Sequence, residues 1–224
     1  MKRIAIAIDG PAASGKSTTA KLVAQRLGYL HLDTGAMYRA LTFEVLRKKV
    51  APDDQAGVKK LARQSSVRLE QGKHGNRVLL NGEDVTAEIR TPRVTQAVSA
   101  VSSYPFVREL MVQEQRRMAA EGGIVLEGRD IGTVVLPKAE LKIFMVANVA
   151  ERARRRKKDL ALVGEEVDEH ELVEEISERD RKDSTREASP LKMAADAFEL
   201  DTTNVTIEQQ VEFIVKKANE IIQE

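Results

Sequence analysis

The 224-residue sequence predicts an α/β fold with a central parallel sheet flanked by helices. Short apolar runs alternate along the chain with stretches of helical periodicity, the signature of parallel strands joined by crossover helices. The first apolar run passes through a glycine-bearing turn straight into a helical stretch, and the last stretch of the chain is a strongly amphipathic helix. One block in the first half breaks the alternation and is read as an insertion between core elements.

Taken in order, residues 3–8 form the first strand, with Ile4, Ile6 and Ile8 separated by alanine. Residues 17–27 follow as a helix, residues 29–32 as a second strand and residues 40–50 as a second helix. Between residues 67 and 85, Val-Arg-Leu-Glu and Arg-Val-Leu-Leu-Asn81-Gly82-Glu have the pattern of a β-hairpin with a polar turn, the core of a small inserted domain. Strands return at 123–126, 141–146 and 198–200. The final helix opens with Thr206 and Gln209 at capping-box spacing. Behind them Ile207, Val211, Ile214, Ala218 and Ile221 repeat at helical intervals.

The turn after the first strand reads Gly10-Pro11-Ala12-Ala13-Ser14-Gly15-Lys16-Ser17-Thr18. It fits the phosphate-binding loop pattern G-x-x-x-x-G-K-[ST] in its strand–loop–helix context. Glycines let backbone N–H groups turn inward around phosphates, and the helix start adds a positive dipole end. Lys16 reaches the outer phosphates and Ser17 offers a hydroxyl to Mg²⁺. A glycine-rich turn alone leaves the lysine unexplained. The fold is therefore a P-loop nucleotide-binding fold.

Composition narrows the classes. Lysine and arginine number 36 against 35 acidic residues, which argues against a bulk nucleic-acid or membrane binder. The absence of cysteine excludes disulfides, thiol catalysis and cysteine-ligated zinc. The first apolar run ends at Asp9, too short for a signal peptide, and no run approaches a membrane span. The expectation is a cytoplasmic protein.

Three further segments carry charge. Asp33-Thr34-Gly35-Ala36-Met37-Tyr38-Arg39 follows the second strand, and in open α/β sheets ligands collect beyond the carboxyl ends of strands. Asp33 is then positioned to hold a water of the Mg²⁺ shell and Arg39 to grip a second phosphate; a plain helix cap is the bland alternative. Glu127-Gly128-Arg129-Asp130-Ile131-Gly132 brackets two charges with glycines, as near a ligand. Arg179, Asp183 and Arg186 fall on one face if helical, although a solvated charged helix is the common reason for such a run. Six of the seven residues at 152–158 are basic. Balanced net charge and the lack of interleaved aromatics weaken a nucleic-acid reading, and an arginine-rich lid at 151–168 over transferring phosphates is preferred.

Together these segments resemble the bacterial cytidylate (CMP) kinases, within the nucleoside monophosphate kinases. The match spans nearly the whole chain and rests on residues 10–18, residues 33–39, Ser99 with Arg108, Gly128-Arg129-Asp130, and Arg179, Asp183 and Arg186. The resemblance implies phosphoryl transfer from ATP to CMP and dCMP with Mg²⁺ held at Ser17 and Asp33. It implies that Thr34, Arg39, Arg129 and Arg179 hold the acceptor phosphate, that Ser99, Arg108 and Asp130 read cytosine, and that Asp183 and Arg186 bind ribose. Lys16, Arg129, Arg179 and Arg186 are the catalytic group. Thr34 stands where some members have serine, and the hydroxyl is retained. The insertion resembles the family's enlarged monophosphate-binding domain. The expected division is core at 1–33, monophosphate-binding region at 34–110, core at 111–150, lid and flanking helices at 151–185, and core at 186–224.

The chemistry agrees. A phosphate monoester is mostly dianionic at neutral pH and needs no general base. None is evident: His31, His74 and His170 are scattered and read as surface or packing residues. Alignment, charge neutralisation and exclusion of water remain, which suits many arginines and a closing lid. An aspartate accepting from cytosine N4 beside an arginine donating to N3 and O2 selects cytosine over uracil. Adenine is assigned to the region after Asp201. A monomer acting on small molecules, without nucleic acid, is expected. A small-metabolite kinase of the shikimate kinase type is the alternative enzyme, and it would want a base near Asp33. A nucleotide switch or RNA-binding NTPase is the non-kinase alternative; the chain lacks an Asn-Lys-x-Asp guanine motif.

Overall fold

A computed structural model describes residues 2–72, 75–162 and 164–223. The core strands are β1 (Ala5–Asp9), β2 (Leu30–Asp33), β6 (Ile124–Gly128), β7 (Leu141–Val146) and β8 (Phe198–Asp201), between which lie β3 (Val67–Gly72), β4 (Gly75–Leu80) and β5 (Glu83–Asp84). The core strands form one parallel sheet in the order β2-β6-β1-β7-β8.

The helices are α1 (Lys16–Leu27), α2 (Thr34–Arg47), α3 (Gln55–Gln64), α4 (Pro92–Ser103), α5 (Pro105–Ala119), α6 (Val149–Ala161), α7 (Glu169–Thr185) and α8 (Ile207–Gln223). The sheet buries both faces. Ile6 and Ile8 of β1 and Val125 of β6 pack with Val23 of α1 and Val211 and Ile214 of α8. Ala7, Ile124 and Leu126 point the other way, onto Met37 and Leu41 of α2 and Met111 of α5. This period-2 alternation between two apolar cores explains why the strands read as nearly unbroken apolar runs.

Local chemistry sets the helix ends. Pro92 and Pro105 sit at the first positions of α4 and α5, where a missing N–H costs nothing. Gly28 closes α1 in the left-handed conformation, its N–H reaching Ala24 O and Gln25 O. The capping box of α8 is present: Thr206 N donates to Gln209 Oε1 at 2.8 Å and Gln209 N to Thr206 Oγ1 at 3.2 Å.

Several boundaries differ from the sequence reading. The strand at 141–146 is as expected, but β1, β2, β6 and β8 extend one or two residues further, to Asp9, Asp33, Gly128 and Asp201. Glu127 and Gly128 are thus strand residues, and the loop proper begins at Arg129. The helix expected at 40–50 starts at Thr34, because Asp33 caps it by accepting from Ala36 N at 3.1 Å. The inserted block is a three-stranded antiparallel sheet, β3-β4-β5, rather than a hairpin alone; the turn residues 73 and 74, including His74, lie outside the described residues. Residue 110 falls inside α5, so a division there would cut a helix. Arg186 lies just past α7, extended at its C-cap, and not on the helix itself.

Helices α6 and α7 pair through a small apolar cluster of their own: Ala153, Leu160, Leu172 and Ile176. Ala13 of the phosphate-loop sequence packs against that cluster. The helix pair at the lid position is therefore docked on the loop.

Candidate active site

Strand register brings the site together. Asp33 is paired with Glu127, and Asp9 with Gly128 and Phe144, so the polar ends of β2, β6 and β1 lie side by side at the carboxyl edge of the sheet. A cleft of about 620 Å³ opens there. All site residues expected from the sequence line it except Gly10 and Pro11.

The loop between β1 and α1 needs its glycines. A Cβ at Gly10 would lie 2.1 Å from the Met145 carbonyl oxygen of β7, and Gly15, the N-cap of α1, has φ +94°. No side chain caps the start of α1, which leaves its first N–H groups open to an anion. The loop is braced from outside: Thr202 Oγ1 donates to Ser14 O at 2.9 Å and Arg152 Nη1 to Ala12 O at 3.3 Å. Within it, Ser14 Oγ donates to Pro11 O at 3.1 Å. Lys16 Nζ curls over the loop, donating to Pro11 O at 2.5 Å and Ser14 Oγ at 3.2 Å. Burial, reinforced by the Arg129 charge, pushes the Lys16 ammonium down to about 7.

Carboxylates flank the loop. Ser17 Oγ donates to Glu127 Oε2 at 2.6 Å, and His31 Nε2 meets Glu127 Oε1 at 2.9 Å. Burial and then the neighbouring Glu127 raise the Asp33 carboxyl. The sequence reading missed Glu127 as a site residue and left His31 among surface or packing residues. His31 does pack, against Glu127 and outside the cleft lining, while Asn76 Nδ2 of β4 donates to the His31 carbonyl. His170 is exposed on α7, as read.

Opposite the loop, arginines converge. Arg39 Nη1 donates to Thr95 Oγ1 at 2.8 Å, and Arg129 Nε to Asp183 Oδ2 at 2.9 Å. Burial, followed by the like charges of Arg129 and Arg39, lowers the Arg179 guanidinium to about 10. Guanidiniums this crowded are relieved by an anion. Thr34 Oγ1 donates to the Glu127 carbonyl at 2.7 Å. Burial alone would raise the Asp183 carboxyl; Arg129, Arg179 and Arg186 outweigh it and hold it below the usual range. Arg186 Nε donates to Ser189 O at 2.7 Å, and its buried Nη2 has no partner among the described residues.

One end of the cleft holds an almost fully covered ion pair. Arg108 Nη2 donates to Asp130 Oδ2 at 2.6 Å, and both side chains are about 5 % exposed. Arg108 Nη1 donates to Ser102 O at 3.2 Å, and its guanidinium lies 5.1 Å from the Tyr38 ring centroid. Ser99 lines the wall beside them. At the other end, Val205, Thr206, Ile207 and Gln210 line the cleft next to Gly15, so the segment after Asp201 does reach the site.

The basic run at 152–158 is not one patch. Arg152 is buried on Asp180 at 2.6 Å, Arg154 pairs with Glu151, and Arg155 Nη1 donates to Thr202 Oγ1 at 3.1 Å. Arg156 and Lys158 line the cleft. On α7, Arg181 and Lys182 pair with Glu178 on the solvent side, while Arg179 and Asp183 line the cleft.

A family model described as cytidylate kinase matches residues 6–220. The chain is 54% identical over 215 residues to the cytidylate kinase of Pelotomaculum thermopropionicum, covering 96% of this chain and 95% of that one. It is 53% identical over 221 residues to the cytidylate kinase of Geobacillus kaustophilus, covering 99% of each. Among solved structures, an uncharacterized protein from Eubacterium ventriosum superposes with a TM-score of 0.54 at 13% identity, covering 97% of this chain and 99% of that one, a likeness of fold alone.

Proposed function

The chain belongs to the cytidylate kinase family, and on that premise we propose how its cleft transfers the γ-phosphoryl group of ATP to CMP, giving CDP and ADP. It is an ATP-dependent phosphotransferase acting on a nucleoside monophosphate. The single observation that carries the assignment of roles is the convergence of Lys16, Arg39, Arg129 and Arg179 on one cleft whose far end holds the buried Arg108–Asp130 pair.

Gly10 to Thr18 cradle the donor phosphates with main-chain N–H groups, and Lys16 neutralises charge on the outer ones. Its depressed pKa recovers when phosphate arrives, so the charge is fully present at the reacting group. Ser17, Glu127 and Asp33 offer hard oxygen donors that suit Mg²⁺ bound jointly with phosphate oxygens. Among the described residues no three His, Cys, Asp or Glu side chains form a cage that would bind a cation without substrate. Mg²⁺ held there would offset the negative charge of the phosphates. Val205 to Ile207 wall the adenine end.

On the acceptor side, Thr34, Arg39, Arg129 and Arg179 hold the CMP phosphate. Asp183 and Arg186 take the ribose, and Ser99, Arg108 and Asp130 read the cytosine edge, Asp130 accepting from N4. Arg129, Arg179 and Arg186 gather charge that spreads over the equatorial oxygens during transfer. No residue removes a proton, because the acceptor oxygen is already ionised. A hydroxyl acceptor, as in a shikimate kinase, would need a base, which a phosphate acceptor does not. The block from 34 into α5 is read as the acceptor-binding part and 151–185 as the lid with its flanking helices, with Arg152 and Ala13 linking lid to loop.

The nucleotide substrates support a cytoplasmic setting. Among the described residues no helix is long and apolar enough to cross a membrane. Coupled ADP release across CMP, dCMP, UMP, AMP and GMP tests the reading. CMP and dCMP should give the highest kcat/KM; equal rates with purine monophosphates would contradict it.

A further inference from the structure

Asp9, the last residue of β1, is buried and takes no part in the roles above. Its two carboxylate oxygens accept from consecutive main-chain amides, Oδ1 from Ile131 N at 2.8 Å and Oδ2 from Gly132 N at 2.7 Å. Those amides open the turn Ile131–Val135, directly after Arg129 and Asp130. On its other side Asp9 is bonded to Gly10, the first residue of the phosphate loop. One carboxylate thus spans the base of the loop that cradles the donor and the base of the loop that grips the acceptor.

The close approach is built in. A Cβ at Gly132 would lie 3.4 Å from Asp9 Oδ2 and 3.2 Å from Lys142 Cδ, so a larger residue would press on the tether. Strand pairing already sets Asp9 beside Gly128. The carboxylate extends that register past the end of the sheet, where no ladder hydrogen bond remains to hold the two loops together.

We propose that Asp9 is a positioning residue that fixes the spacing between the donor and acceptor half-sites by tethering the Arg129–Asp130 loop to the phosphate loop. The inference rests on the assignment of those half-sites given above. In-line transfer requires both phosphates to meet within a fraction of an ångström, so the tether acts on the chemical step and not on either binding step. The fold does not need the charge. Burial pushes the Asp9 carboxyl up to about 6, against the pull of both amides, so the ionised form weighs on the folded state at neutral pH. A tether that served only stability would not favour a buried anion.

Asp9→Asn keeps the size and one acceptor oxygen and turns an amide group toward one of the two N–H donors. The expected result is a kcat about 10- to 100-fold lower, the scale of a misplacement of about 1 Å. KM for ATP and for CMP should each stay within about threefold of wild type, and the melting temperature should be unchanged or higher. Equilibrium binding supplies the readout a structural role would not move. ATP alone and CMP alone should bind as to wild type, whereas an analogue joining adenosine to cytidine through a pentaphosphate should weaken by the same factor as kcat. Asp9→Ser, which keeps one small acceptor, should show the same split and serves if Asp9→Asn does not fold. A variant that binds the joined analogue like wild type, or that loses single-nucleotide binding and melting temperature together with kcat, overturns the inference. A wild-type protein that binds neither CMP nor the joined analogue overturns the assignment of the half-sites, and this inference with it.

Discussion

Asp130→Asn is the substitution that separates base reading from phosphate transfer. In the structure Asp130 gives one oxygen to Arg108 Nη2 at 2.6 Å, in surroundings where both side chains are almost fully covered. Asparagine can keep that oxygen as an acceptor but loses the charge, and a hydrogen bond to a charged group is worth about 1.5–3 kcal/mol. Arg108 stays held by the Ser102 carbonyl at 3.2 Å and lies 5.1 Å from the Tyr38 ring centroid, so its position should survive. Because Arg108 is left buried without its counter-charge, the fold should lose about 3–5 kcal/mol of a stability of about 5–15 kcal/mol. The base ratio is therefore read on variant protein that thermal unfolding shows to be folded. The catalytic effect should appear in base choice. Without the anionic acceptor for cytosine N4, the CMP-over-UMP preference in kcat/KM should shrink by about 1–3 kcal/mol, or about 5- to 150-fold. Coupled ADP release with the two monophosphates measures the ratio, and thermal unfolding measures the stability. An unchanged ratio in a folded variant would refute the base-reading role of Asp130.

Arg39→Ala should raise KM for CMP and UMP by similar factors, because phosphate contacts position without specifying; a change in the CMP-to-UMP ratio would count against it. Lys16→Met should lower kcat by about 100-fold or more. Because the folded pKa of Lys16 lies near 7, below its usual 10.5, the folded state binds fewer protons than the unfolded one between those values, so stability gains as pH rises through that window. Lys16→Met should accordingly flatten that rise and melt no lower than wild type at pH 7 without nucleotide, as thermal unfolding across pH will show. Glu127→Gln should raise the Mg²⁺ concentration for half-maximal rate by about 10- to 100-fold, since it removes an anion from the group beside Ser17; an unaltered Mg²⁺ titration would remove Glu127 from that role.

The sequence shows the loop and most of the sheet plainly, because each depends on neighbours in the chain: spacing for residues 10–18, apolar runs for the strands. Strand ends were shortened for a physical reason. Asp9, Asp33, Glu127 and Asp201 are polar residues at the carboxyl ends of their strands, and hydropathy reads them as loop. Asp33 and Glu127 line the cleft at that edge of the sheet, so at those two positions the short reading marks the site. Glu127 could have been found on that signal, sitting on a strand next to the loop strand. The start of α2 was hidden by Thr34 and Gly35, which resemble a turn until Asp33 is seen to cap them. Pairings such as Arg108 with Asp130, Arg129 with Asp183 and His31 with Glu127 join residues 22, 54 and 96 positions apart, and no local pattern encodes them. For the same reason the contacts of Arg152 and Arg155 with the loop are not legible in a run of basic residues.

The most direct test of the central claim follows the phosphoryl group itself. ATP labelled in its γ-phosphoryl group is incubated with the protein, Mg²⁺ and CMP, and the label is located by ³¹P NMR or chromatography. Transfer between two phosphate cradles in one cleft predicts label in the β-phosphate of CDP, in equal amount to the ADP formed, with little inorganic phosphate. Label appearing chiefly as inorganic phosphate, at a rate indifferent to CMP, would contradict it.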